Sequence, residues 1–296
     1  MAGESQETNP RIISSHFLDS SDTKDNLAIV VLNWRLPTVT PLLLEKAAFC
    51  VCADGGANRL HDEVPTMFPS EPADAVRSRF IPHLIKGDLD SIRPDVLEFY
   101  TSHGVPIADL SHDQMSTDLQ KCLRYIETHV LIGGGRSGVG NHSIHGINND
   151  ILEEDNGTTR PPRTDSAHNI QRQVETVIAV GAHGGRLDHI LSNLSTLHTF
   201  RSVDIVLCGD GNLSRLIPAG KAVIKPHRKV EGPSCGLVPL AGRAVATSRG
   251  LRWNLESTEM EIGGLVSTSN LIDEDEVWIE TDVDLIWTTE LKETHL

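Results

Sequence analysis

HLIKGDLDSI, residues 83–92, is the stretch on which the reading of this chain turns. A short apolar run, Leu84 and Ile85, ends at Gly87 and gives way to Asp88, Asp90 and Ser91. If the run is a buried strand, the acids sit at its carboxyl end, where open α/β sheets place their ligands. Two carboxylates so close resist joint ionisation unless a cation or strong donors stand between them. A hard divalent ion such as Mg²⁺, which combines one or two carboxylates with phosphate oxygens, meets that need. The plainer reading is a polar turn after a strand, since Gly-Asp and Asp-Ser are turn formers. Further Gly-rich, acidic stretches at other strand ends add weight to the ligand reading.

Working outward, residues 27–32 (LAIVVL) form a continuous β-branched run, the mark of a strand buried on both faces. A short helix over 41–49 and a strand over 49–53 follow, and the strand ends in Asp54-Gly55-Gly56, where glycine permits a tight turn or close approach of backbone to a ligand. A helix is expected over 57–64. After the central stretch, Pro94 opens a helix to Ser102 that Gly104 stops, and residues 106–110 give another strand. Ser116 or Thr117 caps a helix running to about Thr128. Asp118 lies in its first turn, either as an anion favoured by the helix dipole or as a third carboxylate beside Asp88 and Asp90.

A strand over 176–180 feeds Gly184-Gly185-Arg186-Leu187-Asp188-His189 and then a helix over 190–200. A Gly-rich turn between strand and helix presents backbone N–H groups to a phosphate. Arg186 adds a two-pronged donor, and Asp188 a metal or ribose contact. His189 and Asn193 lie four apart on one helix face. A strand over 204–208 closes this α/β part. Beyond about Lys221, short segments rich in Val, Ile, Thr and Trp, broken by Gly or Pro, read as antiparallel β structure. There, Trp253 is either core filling or a flat platform for an aromatic or cationic ligand; Trp278 and Trp287 read as core.

The expected fold class is an α/β domain with a mostly parallel sheet (residues 26–218), followed by a smaller all-β antiparallel sandwich (219–296). Residues 1–25 are polar and read as a disordered tail. Residues 133–173, dominated by Gly, Asn, Ser, Pro and charge, read as a surface insertion. Gly133, Gly135 and Gly138 match a dinucleotide fingerprint, but no helical pattern follows them, so that reading is rejected. His142, His145 and His168 read as solvated loop residues.

The bulk numbers narrow the class. A hydrophobic share of 39% and a charged share of 23% in 296 residues describe a globular chain with a real core. A formal net charge of -15 argues against nucleic-acid binding but not against a nucleotide held by a local metal and backbone donors. No leader pattern and no run of membrane-spanning length is present in the sequence. Five cysteines without zinc spacing or a CxxC pair suit a reducing compartment, so a cytoplasmic location is expected.

Taken together, ADGGANRL (53–60), GDLDSIRP (87–94), DQMSTDLQKCL (113–123), GGRLDH (184–189), CGLVPL (235–240), GLRWNL (250–255) and LVSTSN (265–270) resemble, in order, the thiamine pyrophosphokinase family. The resemblance implies an α/β domain followed by a small β-sandwich, and a homodimer with thiamine sites at the subunit interface. It also implies Mg²⁺-dependent transfer of the pyrophosphoryl group of ATP to the hydroxyethyl arm of thiamine, giving thiamine diphosphate and AMP. Position by position, it places Mg²⁺ and the triphosphate at Asp88, Asp90 and Asp118, with Asp54 and Gly55 nearby. Nucleotide phosphates fall to Gly184, Gly185 and Arg186, with His189 and Asn193 alongside and Asp188 as a fourth key acid. Gln114 faces thiamine and Trp253 stacks on it, with Ser267 and Asn270 close by. Met115 stands where many members carry an acid, and the 133–173 insertion has no counterpart in compact members. A different Mg²⁺-dependent nucleotide hydrolase using the same acids, or a non-catalytic thiamine or nucleotide sensor, are the competing functions.

Overall fold

The structure is a computed structural model and describes residues 9–21, 27–131 and 174–292. Its centre is β2 (Leu27–Val31), buried at every position. Leu27, Ile29 and Val31 enter one core, while Ala28 and Val30 enter another on the opposite face. Parallel ladders join β2 to β3 (Ala47–Ala53) on one side and to β6 (Thr176–Val180) on the other. Beyond β3 lie β4 (Leu84–Gly87) and β5 (Ile107–Asp109), and beyond β6 lies β7 (Asp204–Gly209), all parallel. The chain therefore moves outward from β2 to β5, then returns to the far side of β2. That reversal creates a crevice between the carboxyl ends of β2 and β6, the usual ligand position in such sheets.

Helices cover both faces. On one, α1 (Thr40–Glu45), α2 (Gly56–Glu63), α3 (Ala73–Arg79) and α4 (Pro94–Ser102) contribute Leu43, Leu60, Val76, Val96 and Tyr100. On the other, α5 (Asp118–His129) and α6 (Leu187–Thr199) contribute Leu119, Leu123, Ile126 and Leu197. Local chemistry sets the helix ends. In α5 the Thr117 hydroxyl accepts from the Gln120 N–H while the Gln120 side chain accepts from the Thr117 N–H, a reciprocal cap. At the start of α2 a side chain at Gly56 would stand 1.9 Å from the Val31 carbonyl oxygen, so only glycine lets this helix begin against β2.

After β7 the direction reverses through Asp210 and Gly211, both at positive φ, into β8 (Asn212–Ile217). Next to β8 come β15 (Leu285–Leu291), β10 (Glu231–Val238) and β13 (Ser267–Leu271), all antiparallel, completing one ten-stranded sheet. A second sheet runs β1 (Arg11–Ser14), β9 (Gly220–Lys225), β14 (Val277–Thr281), β11 (Ala244–Arg249), β12 (Thr258–Met260). Between the sheets lies a third core, with Ile217, Leu237 and Trp287 from the first and Ile13, Ala222, Ile224 and Ile279 from the second.

Several expectations are corrected here. The β-rich part is not a self-contained sandwich after residue 218: one of its layers continues the α/β sheet, because the β7–β8 hairpin passes backbone hydrogen bonding onward. Nor are residues 1–25 wholly a disordered tail. β1 pairs parallel with β9, Ile13 enters the third core, and Phe17 and Leu18 are 2% and 3% exposed in the first. The Lys46 ammonium donates to the Phe17 carbonyl at 3.1 Å and secures this segment. The apolar residues responsible, Ile13 and Phe17-Leu18, are too few to register as periodicity. Neither α3 nor β8 was anticipated, and β3 begins at Ala47, inside the stretch read as helix. Trp287 is buried as expected, Trp278 only partly, and Trp253 is exposed. The glycines and histidines singled out between 133 and 173 lie outside the described residues, as do 1–8 and 22–25 of the expected tail. Among the described residues, no helix is long and apolar enough to cross a membrane.

Phe17→Ala removes a buried ring from the first core and is expected to cost about 3 kcal/mol. Urea unfolding followed by circular dichroism reads this directly; an unchanged midpoint would mean that the N-terminal segment is dispensable to the fold.

Candidate active site

A cleft of about 460 Å³ opens at the carboxyl ends of the parallel strands, lined by residues from the ends of β2, β3, β4 and β6 and the starts of α5 and α6. Its acidic wall is assembled from three chain segments. Asp54 follows β3 with φ 44°, a conformation that short polar residues tolerate best. Its carboxylate is buried and accepts the Ser91 N–H at 3.0 Å and the Ile92 N–H at 3.2 Å, which ties the β3 turn to the one after β4. Asp88 follows β4, and its Oδ1 is buried without a hydrogen-bond partner. Asp118 opens α5, and its Oδ1 accepts from the Lys121 ammonium at 3.1 Å.

Carboxylate oxygens of Asp54, Asp88 and Asp118 lie within 4.8 Å of one another. Burial, before any other cause, raises the pKa of both Asp54 and Asp118; for Asp118, the charges on Asp88 and Asp90 push the same way and Lys121 opposes them. Repelling oxygens with one acceptor left unused are the donor set a hard divalent cation takes. The trio gathered by the fold thus differs from the expected Asp88, Asp90 and Asp118. Leu89 adopts φ 62°, rare for a bulky residue, and the exposed Asp90 accepts a hydrogen bond from the Ser91 hydroxyl at 2.8 Å. Asp54 takes the third place. Asp90 stays near enough to act on Asp118 electrostatically.

Opposite the acids runs the turn from Gly181 into α6. Gly184, Arg186, His189, Ser192 and Asn193 line the cleft, which brings the start of α6 to the same wall. Asn193 donates to the Ala182 carbonyl at 2.8 Å, pinning the turn to its helix. α6 begins at Leu187 instead of 190, which puts Asp188 and His189 in its first turn. Arg186 and Asp188 pair with each other through two hydrogen bonds, at 3.1 and 2.5 Å, both side chains largely exposed. Asp188 is therefore not brought to the other acids, and neither it nor Gly185 lines the cleft. Gln114 does, with its amide donating to the Ser111 carbonyl at 2.7 Å. Met115, 95% exposed, does not.

Trp253, Ser267 and Asn270 gather elsewhere, on the β-rich part. The Trp253 side chain stands 58% exposed on the loop after Leu251. Asn270, buried in β13, holds that loop from both sides: its oxygen accepts the Trp253 N–H at 3.2 Å and its amide donates to the Trp253 carbonyl at 2.8 Å. Ser267 is buried on the same strand, opposite Leu237 of β10. Trp253, Ser267 and Asn270 line no part of the cleft of their own chain. Conversely, Asn33, Trp34, Lys121 and Ser192 line it without having been anticipated. For Asn33 and Trp34 a signal existed: they follow the most buried strand directly, and the strand-end argument applied to residues 83–92 holds equally for 27–34.

Residues 40–209 match the family described as thiamin pyrophosphokinase, catalytic domain, and residues 221–286 match thiamin pyrophosphokinase, vitamin B1 binding domain. Thiamine pyrophosphokinase 1 of Arabidopsis thaliana is 42% identical over 290 residues, covering 96% of this chain and 95% of the relative. The Saccharomyces cerevisiae thiamine pyrophosphokinase is 28% identical, over 90% of this chain and 86% of its own. Among solved structures, yeast thiamin pyrophosphokinase superposes with a TM-score of 0.74 at 25% identity, covering 100% of this chain and 95% of that one. Two successive family models spanning most of the chain, and relatives alike over nearly their whole length, agree: the chain belongs to the thiamin pyrophosphokinase family.

Proposed function

We propose that the protein is a thiamine diphosphokinase that transfers the pyrophosphoryl group of ATP to the hydroxyl of thiamine, giving thiamine diphosphate and AMP. The observation that carries this reading is the convergence of Asp54, Asp88 and Asp118 within 4.8 Å across a single cleft from the Gly184–Arg186 turn. Transfers at phosphorus need charge neutralisation and alignment more than a strong base. The three carboxylates would hold Mg²⁺, which would supply charge neutralisation for phosphate oxygens. Arg186 exchanges Asp188 for phosphate oxygens, and the first N–H groups of α6 take others. The thiamine hydroxyl oxygen attacks the β-phosphorus. The bond from that phosphorus to the oxygen bridging the α-phosphate breaks, and AMP leaves with the electron pair. Asp118 or Asp90 accepts the hydroxyl proton.

Residues 26–218 form the catalytic unit in this reading and 219–296 the thiamine-binding one. Trp253 stacks on thiamine, with Ser267 and Asn270 shaping the same pocket and Gln114 meeting the substrate from the cleft side. Because the Trp253 group and the cleft are separate within one chain, a second copy supplies Trp253 in a homodimer. The exposure of Trp253 supports this, as do the outward-facing Leu187 and Leu191 on α6, 68% and 48% exposed. The protein works in the cytoplasm, without nucleic acid or membrane partners. A hydrolase acting on the same metal–nucleotide complex would leave Trp253 without a role.

Asp118→Asn should lower turnover on the order of a hundredfold while the protein stays folded; chromatography of thiamine species and adenine nucleotides is the assay, and full activity would remove the metal assignment. Trp253→Ala should raise the KM for thiamine about tenfold and leave that for ATP unchanged. Mixing the two variants should restore activity at low thiamine if sites are shared between copies, and no recovery would place each site within one chain. Burial raises the folded pKa of Asp54 and Asp118. Their favourable contribution to metal-free stability is thus present below the ordinary carboxylate pKa and lost as pH rises through the raised values. Mg²⁺ should then raise Tm at pH 7, and the gain should vanish by about pH 4; a pH-independent Mg²⁺ effect in thermal unfolding would place the ion elsewhere.

A further inference from the structure

The crevice between β2 and β6 carries one residue that the proposed chemistry leaves unused. β2 is held to the end of β6 by the Leu32 N–H donating to the Val180 carbonyl at 2.9 Å, and Asn33 and Trp34 follow at once. The two side chains diverge. Asn33 turns to the acidic side: its oxygen accepts from Arg59 at 3.1 Å, and its amide fills the space beside Gly55, where a Cβ would come within 2.3 Å. Trp34 turns the other way and lies across the glycine turn. A Cβ on Gly184 would stand 2.2 Å from the indole Nε1, and one on Gly185 2.9 Å from the ring carbons. Gly184 and Gly185, with φ 95° and 71°, therefore serve as the bed of an aromatic ring.

The indole is 37% exposed and lines the same cleft as Asp54, Asp88 and Asp118. A flat apolar surface among carboxylates, an arginine and helix N–H groups fits a ligand that joins phosphates to a planar ring. A nucleoside triphosphate is such a ligand. Its phosphates lie between the acids and the α6 turn, and the ring resting on that turn is within the reach of the same molecule. Thiamine approaches with its hydroxyl towards the β-phosphorus, from the side of Gln114, and its rings belong to Trp253.

We propose that Trp34 is the platform for the nucleobase, stacking on it and favouring purine over pyrimidine nucleoside triphosphates; this rests on the assignment of the cleft to ATP. Stacking on an aromatic side chain scales with ring area and tolerates many bases.

The test measures KM for ATP, UTP and thiamine in Trp34→Ala and Trp34→Phe, with AMP binding followed by intrinsic fluorescence. Trp34→Ala should raise the KM for ATP on the order of tenfold and narrow the ATP-over-UTP preference by a similar factor. Its KM for thiamine and its turnover at saturating ATP should be unchanged. Trp34→Phe should retain most of the ATP affinity while losing the fluorescence quenching by AMP that the parent protein should show, a change that a purely structural role would not produce. An unchanged KM for ATP in Trp34→Ala, or a rise confined to thiamine, overturns the platform. Should Trp34→Ala fail to fold, Trp34→Gln takes its place, with the same readings. Asp118→Asn in the same assay separates the two ideas. If it stays fully active, the assignment of the cleft fails; if it is inactive while Trp34→Ala is unaffected, only the platform fails.

Discussion

Like charges held close together are the constraint around which this molecule is arranged. Three carboxylates within 4.8 Å repel one another when ionised, and no flexible loop would keep them there. The fold overcomes this by placing two of them immediately after strands of a sheet buried on both faces. The third opens a helix whose cap is closed from both sides. Asp54 spends its oxygens on the backbone of the next strand's turn, so the β3 and β4 ends move as one body. Lys121, almost wholly buried, offsets Asp118 from within the same helix. Leu89 accepts an unfavourable backbone conformation between two acids, a strain of about 1–3 kcal/mol of the kind that persists where surrounding structure overrides it.

Much of this was legible because the residues involved obey local rules. The strand over 27–32 announced itself by an unbroken apolar run, α4 by proline and glycine at its ends, α5 by its threonine cap. Asp88 and Asp118 could be read as site residues because each stands at an element end where ligands gather. The choice between Asp54 and Asp90 could not be read. It depends on two left-handed residues, Asp54 and Leu89, whose conformations are fixed by tertiary contacts that no pattern in the sequence encodes. Nor could the pattern Gly-Arg-Leu-Asp show that the Asp188 carboxylate pairs with Arg186 of its own turn.

Long-range pairing was the other blind spot. Periodicity identifies a strand but not its partner, so an antiparallel group after residue 218 suggested a separate sandwich. The hairpin at Asp210–Gly211 instead threads β8 onto β7 and makes the second unit an extension of the first sheet. Trp253 shows the same limit in the other direction. Its exposure could not be anticipated from composition, because the buried Asn270 that holds its loop is 17 residues away in sequence.

The short N-terminal strand has a consequence for how copies of this chain can meet. A sheet edge is a row of unpaired donors and acceptors that invites another strand. β9 would offer such an edge six residues long, and β1 covers four of those positions. At the opposite border β12 is three residues long, as is β5 at one border of the larger sheet. With its margins so blunted, self-association by strand addition is disfavoured on most sides, and contact between copies falls to loops and helix faces. Those are surfaces that can recognise a partner by side-chain shape, where a bare backbone edge accepts any strand that arrives.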